Sequence, residues 1–177
     1  MIRSSFSVRP RPVKRLTLLA LLAGLSVAVH TLESLLPPLV PALPGVKLGL
    51  ANVFSLFALM QYSLRDGLCV GVVRCLIVML ITGSVTGFFY ALAGAILSLL
   101  AMALLKKLQM SVFFISIAGA LAHNTAQVMV AVLVTHTTAL FGYLPWLWLC
   151  AVPTGLLIAA LHKMIDRALK TGGLTHD

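Results

Sequence analysis

Acidic side chains are scarce in this sequence, which has four Asp and Glu residues against thirteen Lys and Arg in 177 residues. Charged residues make up 10% of the chain, whereas an ordinary soluble domain carries about 25%. Hydrophobic residues make up 60% and fall in long runs. This composition excludes an ordinary soluble domain and predicts an integral membrane protein.

Motifs for several kinds of chemistry are also missing. The sequence has no paired-carboxylate DDxxD motif, no Walker A sequence and no persuasive Ser-His-Asp arrangement. A polyprenyl synthase needs acidic residues to hold Mg²⁺ on diphosphates, and Glu33 is the only carboxylate within a predicted span. Cys69, Cys75 and Cys150 lie in apolar runs without metal-ligand spacing, which predicts buried thiols. The sequence therefore favours a protein that is not an enzyme, with no catalytic residues, metal site or cofactor.

Six apolar runs predict six transmembrane helices and an all-α, polytopic membrane fold. The runs are residues 16–36, 48–63, 67–82, 86–105, 112–135 and 144–165. A span needs roughly 20 helical residues, so the second and third runs are short. Leu64, Arg65 and Asp66 alone separate those two runs, which predicts a tight helical hairpin. The chain then divides into a basic tail at residues 1–15, a six-helix domain at 16–167 and a second tail at 168–177.

Basic residues fall unequally on the two sides of such a bundle. Lys47 lies on one side and Arg74 lies inside a helix, while the side that holds both termini has the others. These are Arg3, Arg9, Arg11, Lys14, Arg15, Arg65, Lys106, Lys107, Lys163, Arg167 and Lys170. Cytoplasmic loops are enriched in Lys and Arg, so both termini are predicted to be cytoplasmic, in the inner membrane of a prokaryote. The net charge of +9 then reflects topology and contact with anionic membrane lipid, and no nucleic-acid partner is expected.

The connection between the first two helices is rich in proline. Four prolines fall within eight residues: Pro37, Pro38, Pro41 and Pro44. Each proline removes a backbone donor and restricts the residue before it, which predicts an extended, semi-rigid loop on the outer side. Lys47 follows the loop, and a helix that carries Asn52 begins after it. This pattern is typical of a capped ligand cleft, and equally of an ordinary connector with an interfacial lysine.

Polar side chains inside the predicted spans are candidates for ligand contacts because they are costly in hydrocarbon. They are His30, Glu33, Asn52, Arg74, His123, Asn124 and Gln127. Most of them lie from the membrane midplane outward, which predicts an outward-opening pocket for a small molecule. Two structural interpretations remain open: Glu33 and Arg74 form a buried ion pair, and His123 and Asn124 hydrogen-bond between helices.

Other polar and aromatic residues carry weaker signals. His136, His162 and His176 are predicted to lie near water and are assigned no role. Two tryptophans, Trp146 and Trp148, fall near the outer end of the last helix, where they predict an aromatic belt at the membrane surface.

Three segments carry a family resemblance. They are PGVKLGLANVFSLFAL at 44–59, GVVRCLIVMLITGS at 71–84 and AGALAHNTAQ at 118–127. They resemble the Gx transporter family, which is often labelled heptaprenyl diphosphate synthase component I and is similar to the S components of energy-coupling-factor transporters. The resemblance covers about residues 16–165 and implies six helices with an outward pocket under the first loop. It implies substrate contacts from Lys47, Asn52, Arg74, His123 and Asn124.

An S-component resemblance also implies a docking face for a membrane partner, made of small residues on the first helix. Ala20, Gly24 and Ala28 have the small-xxx-small spacing that lets helices approach closely. We therefore expect an S-component-like protein that captures a small anionic or isoprenoid-linked molecule from outside, coupled to an ATP-driven partner module. The alternatives are a membrane subunit associated with polyprenyl diphosphate or menaquinone synthesis, and a structural subunit of a membrane complex.

Overall fold

The computed structural model describes residues 12–35 and 49–171, and the regular structure in these ranges is helical throughout. Six α-helices and one 3-10 helix follow in chain order: α1 (Pro12–Ser34), α2 (Asn52–Gln61), α3 (Leu64–Thr82), α4 (Val85–Lys107), α5 (Val112–Thr135), the 3-10 helix (Thr138–Tyr143) and α6 (Leu144–Thr171). The predicted all-α fold is confirmed over these residues.

Four helical segments are long and apolar enough to cross a membrane, which makes the chain a membrane protein. They are Val13–Glu33, Val85–Lys107, Val112–Thr135 and Thr138–Ala168. α2 has only 10 residues, so it is ~15 Å long at 1.5 Å per residue, about half of a hydrocarbon core. α3 has 19 residues but carries three charges. Length and composition therefore support four spans among the described residues, and the predicted count of six is not confirmed.

α2 begins later than the apolar run that predicted it. The run starts at Leu48, but the helix starts at Asn52, because Gly49 has a φ of +75° and the chain turns there. The N–H groups of Asn52 and Val53 close this turn on the carbonyls of Gly49 and Leu50, at 2.9 and 3.0 Å. A left-handed residue ends regular helical geometry, so hydrophobicity alone placed the start four residues too early.

Serine caps shorten the connections on both sides of α3. Residues 64–66 were predicted to separate α2 from α3, but they form the first turn of α3. The helix starts this early because the Ser63 hydroxyl accepts the Asp66 N–H at 3.3 Å and donates to the Asp66 carboxylate. Ser84 caps α4 in the same way, accepting the Gly87 N–H at 3.1 Å. Such caps stabilise a helix by about 1 kcal/mol.

Two cations join four helices at one end of the bundle. Arg15, which was assigned to the basic tail, lies in α1 and donates to both carboxylate oxygens of Asp66 in α3 at 2.7 Å. Lys106, in the last turn of α4, donates to the carbonyls of Leu59 and Met60 at 2.5 and 3.1 Å. These carbonyls belong to the last turn of α2, where the helix offers no internal donors. The first turns of α1 and α3 and the last turns of α2 and α4 therefore lie at the same end of the bundle.

Two predictions about side-chain burial are wrong. Cys69 and Cys150 are exposed on the bundle surface, and only Cys75 among the three thiols is buried. An apolar run does not imply burial within the protein, because the outer face of a membrane helix contacts lipid. His162 was predicted to lie near water but is 5% exposed, because its ring packs against Phe57 of α2 with the ring centroids 5.5 Å apart.

α5 packs against both α4 and α6, and its backbone lies close to α6 at Gly155. A Cβ atom built at Gly155 would lie 2.7 Å from the Cα of Ile117. The Ser116 hydroxyl donates to the Gly155 carbonyl at 2.7 Å from the same side. The absence of a side chain at this glycine therefore sets the distance between the two helices.

Replacing this glycine tests the packing. Gly155→Ala puts a methyl group against a backbone atom that cannot rotate away, so the helices must separate. We expect a loss of about 1–3 kcal/mol in stability, measured as a lower thermal unfolding temperature in detergent. Gly24→Ala is the matched control, because nothing lies within 4 Å of a Cβ there. It should leave the unfolding temperature unchanged or raise it; equal behaviour of the two variants would contradict the close approach.

Candidate functional site

A cavity of about 210 Å³ lies within the bundle and is lined by residues of α1 to α5 and of the turn before α2. Six of the eight side chains predicted to contact a substrate line it: His30, Glu33, Asn52, Arg74, His123 and Gln127. The remaining lining residues are mostly small or apolar. The bundle thus brings polar groups from four helices to one enclosed space.

The short length of α2 places this cavity in the middle of the bundle. Asn52 begins α2 and lies ~14 Å from Gln61 at the Lys106 end, by the 1.5 Å rise per residue. Arg74 and His123 lie about three turns into α3 and α5 from the same end, which is ~15 Å. The three side chains therefore meet at one level, about halfway across a ~30 Å hydrocarbon core.

A chain of hydrogen bonds joins α3, α2 and α5 at this level. Arg74 Nη1 donates to Asn52 Oδ1 at 3.0 Å, and Asn52 Nδ2 lies 3.3 Å from His123 Nδ1. Because a guanidinium can only donate, it fixes the amide oxygen of Asn52 towards Arg74 and the amide nitrogen towards His123. His123 Nδ1 must then accept, which places the ring proton on Nε2 and keeps the imidazole neutral.

Two glycines leave room for this hydrogen-bonded chain. A Cβ built at Gly94 of α4 would lie 2.6 Å from the Cε1 and Nδ1 atoms of His123, so the imidazole packs directly on the α4 backbone. A Cβ built at Gly49 would lie 3.0 Å from Asn52 Nδ2, and the φ of +75° at Gly49 also favours glycine. The orientations of Asn52 and His123 are therefore fixed by backbone contacts as well as by hydrogen bonds.

Glu33, near the end of α1, binds the backbone before α2. Its Oε1 accepts the Gly49 N–H at 2.5 Å and the Leu50 N–H at 3.2 Å. Glu33 and Arg74 both lie in the described part of the chain and do not form an ion pair within 4.0 Å, so the ion-pair interpretation is wrong. A carboxylate next to the start of a helix is favoured by the helix dipole. Glu33 therefore holds α1 to the turn that leads into α2.

Three buried polar atoms of the cavity residues have no hydrogen-bond partner within residues 12–35 and 49–171. They are Glu33 Oε2, Arg74 Nε and Gln127 Oε1. Their residues are 6%, 2% and 3% exposed, respectively. A buried polar atom left without a partner costs about 1–3 kcal/mol. All three atoms belong to side chains that line the cavity, so a rotation of each side chain would bring them to a bound polar molecule.

One described residue that was predicted to contact a substrate, Asn124, is not among those that line the cavity. Asn124 Nδ2 donates to the Leu147 carbonyl at 3.1 Å and so links α5 to α6. Adjacent residues on a helix point about 100° apart, which is why His123 and Asn124 face different neighbours. Lys47 lies outside the described residues.

The sequence interpretation missed the part of the lining that comes from the connection between α3 and α4. Thr82, Ser84 and Phe88 line the cavity there. The Ser84 hydroxyl also caps α4. The sequence offered one indication of their role. Thr82 and Ser84 lie at the end of the 71–84 segment, which also contains the candidate residue Arg74.

The small residues of α1 lie on its outer face. Ala20, Gly24 and Ala28 are exposed, whereas Ser26 and Glu33 on the opposite face are buried. A Cβ built at Gly24 meets no atom of the described chain within 4 Å. Larger side chains on this face therefore do not disturb the packing of the bundle.

The sequence of the helical bundle matches a known family. Residues 22–165 match the family described as heptaprenyl diphosphate synthase component I. No curated protein and no solved structure matches the chain. The matched range contains every described residue that lines the cavity, and it covers most of the chain. The chain therefore belongs to the heptaprenyl diphosphate synthase component I family, as its sequence motifs predicted.

Proposed function

We propose that this protein is a membrane-embedded, S-component-like binding protein that captures a small polar molecule in the cavity. The observation that supports this most is the set of buried polar atoms around the cavity that have no partner in the described chain. Each such atom lowers the stability of the empty bundle. A bundle with a purely structural role gains nothing from them, whereas a ligand that meets them gains affinity.

The geometry of the cavity suits a small ligand held by fixed groups. Its volume of about 210 Å³ is below the ~300–1,000 Å³ of pockets for drug-sized ligands. Arg74, Asn52 and His123 hold one another through hydrogen bonds, so their positions are set before a ligand binds. Preorganisation of this kind raises affinity because fewer side chains are ordered on binding.

The proposed route of access is from outside the cell. Arg15, Lys106 and Lys107 lie at one end of the bundle, and cations of short loops favour the cytoplasmic side. The cavity residues lie from the middle of the bundle away from that end. The termini are then cytoplasmic, the chain crosses the inner membrane of a prokaryote six times with α2 covering about half of one crossing, and the cavity belongs to the outer half.

ATP-driven transport would require a partner that binds the nucleotide, since the sequence contains no Walker A motif. The outer face of α1, with Ala20, Gly24 and Ala28, is the surface that we propose for this partner. Small residues allow close approach of two membrane helices, where packing supplies much of the association energy.

The family description favours a second function, in which the protein is a membrane subunit that holds a polyprenyl diphosphate for a heptaprenyl diphosphate synthase. Arg74 is then the cation that contacts the diphosphate. The described carboxylates are dispersed: Glu33 is at the cavity, Asp66 pairs with Arg15, and Asp166 accepts from Gln61. This arrangement fits a subunit that binds the diphosphate better than one that holds Mg²⁺ for its chemistry.

Cysteine labelling tests the proposed topology. In a variant without the three native cysteines, Gly142→Cys should react with a membrane-impermeant maleimide on intact cells. Met110→Cys should react only after permeabilisation, because it follows the cation-rich end of α4. Both positions are exposed, so burial does not limit either reaction. Reaction of both cysteines from the same side would contradict the six-span arrangement.

Mass spectrometry of molecules released from the purified protein tests the cavity. We expect the wild type to carry a small molecule whose occupancy falls about 10-fold or more in Gln127→Leu and Arg74→Met, because hydrogen bonds to buried charged or polar groups are lost. Gln127→Leu removes an acceptor that has no partner in the described chain, so it should not lower the unfolding temperature.

Ser98→Ala is the matched control for these variants. Ser98 is buried, its hydroxyl has no partner among the described residues, and it does not line the cavity. This variant should retain the molecule. A wild type that carries no molecule would favour a structural subunit, and a released polyprenyl diphosphate would favour the second function.

The docking face is tested by adding bulk to it. Ala20→Leu combined with Gly24→Leu should abolish co-purification of an ATPase subunit and cellular uptake, because the partner helix can no longer approach. Ligand occupancy and unfolding temperature should not change, since the face is exposed and open. Ala160→Leu, at an exposed position of α6, controls for bulk elsewhere on the surface. A double variant that still co-purifies with the ATPase would remove this face from the proposal.

A further inference from the structure

We infer that the molecule bound in the cavity is a small zwitterion, with a protonated amine for Glu33 and Gln127 and an anionic group for Arg74. This inference rests on the proposed binding function and names the chemical class of its ligand. It is carried by the charge balance of the cavity, by the occupied backbone donors before α2 and by the hydrogen-bonding capacity that the described residues leave unused.

The cavity lining contains charges of both signs. Among the described residues that line the cavity, Glu33 and Arg74 carry one fixed formal charge each, of opposite sign, and they do not pair with each other within 4.0 Å; the lining also includes the imidazole of His30. His123 is neutral by its hydrogen bond with Asn52. A purely anionic ligand would pair with Arg74 but would add a second negative charge near the buried Glu33 carboxylate. A purely cationic ligand would pair with Glu33 but would add a second positive charge near Arg74. A ligand with both charges leaves neither residue uncompensated.

The backbone donors next to the cavity are already used. An N–H group near the start of a helix is a common site for an external anion. Here the N–H groups of Gly49 and Leu50, which precede α2, both donate to Glu33 Oε1. The chain's own carboxylate therefore occupies the position that a phosphate would otherwise take. Among the described residues that line the cavity, Arg74 is the cation that remains for an anion.

The unused hydrogen-bonding capacity gives the third observation. Glu33 Oε2 and Gln127 Oε1 are acceptors, and Arg74 Nε is a donor, and none of the three has a partner in the described ranges. An ammonium group offers three N–H donors and so suits acceptors of this kind, and a carboxylate can accept from the guanidinium. A diphosphate offers acceptors for Arg74 but no donor for Glu33 or Gln127.

The volume sets an upper size. A cavity of about 210 Å³ is smaller than the ~300–1,000 Å³ pockets that hold drug-sized ligands, so it suits a compact molecule such as a short ω-amino acid. A polyprenyl chain of several isoprene units does not fit within the same space.

Matched short-chain compounds test the inference on the purified wild-type protein in detergent. The zwitterions are glycine, β-alanine, 4-aminobutyrate and 6-aminohexanoate, and the single-charge counterparts are butyrate, butylamine and isopentenyl diphosphate. Thermal unfolding is followed against the concentration of each compound. We expect at least one zwitterion to raise the unfolding temperature, at concentrations about 10-fold or more below those needed for any single-charge compound.

Two charge variants separate recognition from a loss of structure. Glu33→Gln should weaken the binding of the best zwitterion about 10-fold or more and strengthen the binding of butyrate, because it removes the negative charge. Gln127→Glu should strengthen the binding of butylamine, because it adds a negative charge beside the amine. Ser98→Ala should behave as the wild type with every compound.

The outcomes that overturn the inference differ from those that overturn binding itself. If butyrate or isopentenyl diphosphate binds as tightly as the best zwitterion, or if no zwitterion raises the unfolding temperature, the zwitterion inference is wrong. The binding function then still depends on the released molecule found by mass spectrometry. If both charge variants weaken all compounds equally, the two side chains act only in structure, and the inference is also wrong.

Discussion

The burial of one charged side chain, Arg74, constrains the rest of the site. Arg74 is 2% exposed near the middle of the bundle, where an unpaired charge costs several kcal/mol. Its described hydrogen bond goes to the side chain of Asn52, the first residue of α2. Because this bond turns the Asn52 amide, it also sets the proton position on His123. One guanidinium thus determines the orientation of two neutral side chains on other helices.

Contacts at both ends of α2, one of them with Arg74, accompany its short length. At one end the helix is held by Lys106, which binds the carbonyls of its last turn. At the other end it begins at the level of Arg74 and is preceded by the turn that Glu33 binds. A longer α2 would carry its backbone past Arg74 and into the space that is now the cavity. The cavity is therefore a consequence of a helix that spans only part of the bundle.

Much of this site could be predicted from the sequence, because depth along a helix follows from residue number. Counting residues from the cation-rich end places Arg74 and His123 at one level, and the structure brings both to the same cavity. What counting cannot give is the direction of a side chain around the helix axis when its neighbours are unknown. Asn124 shows this, because it is adjacent to His123 in sequence yet contacts Leu147 of α6.

Other failures of prediction have local causes. The apolar run beginning at Leu48 gave no sign of the turn at Gly49, which depends on a positive φ and on the Glu33 carboxylate. Hydrophobicity measures whether a residue can enter the membrane, and it does not say whether the residue faces lipid or protein. For that reason Cys150 is exposed and His162 is buried, although both lie in the same helix.

α1 lies between the cavity and the proposed docking surface, with its inner face towards the cavity and its outer face carrying the small residues. On the inner face, Ser26 donates to the Ala51 carbonyl at 3.1 Å, and Glu33 accepts the N–H groups of Gly49 and Leu50. Both contacts hold the residues immediately before Asn52. The outer face carries the exposed small residues, which the bundle itself does not need for packing. A displacement of α1 must therefore either carry the turn before α2 with it or break these hydrogen bonds, so α1 cannot move independently of the cavity.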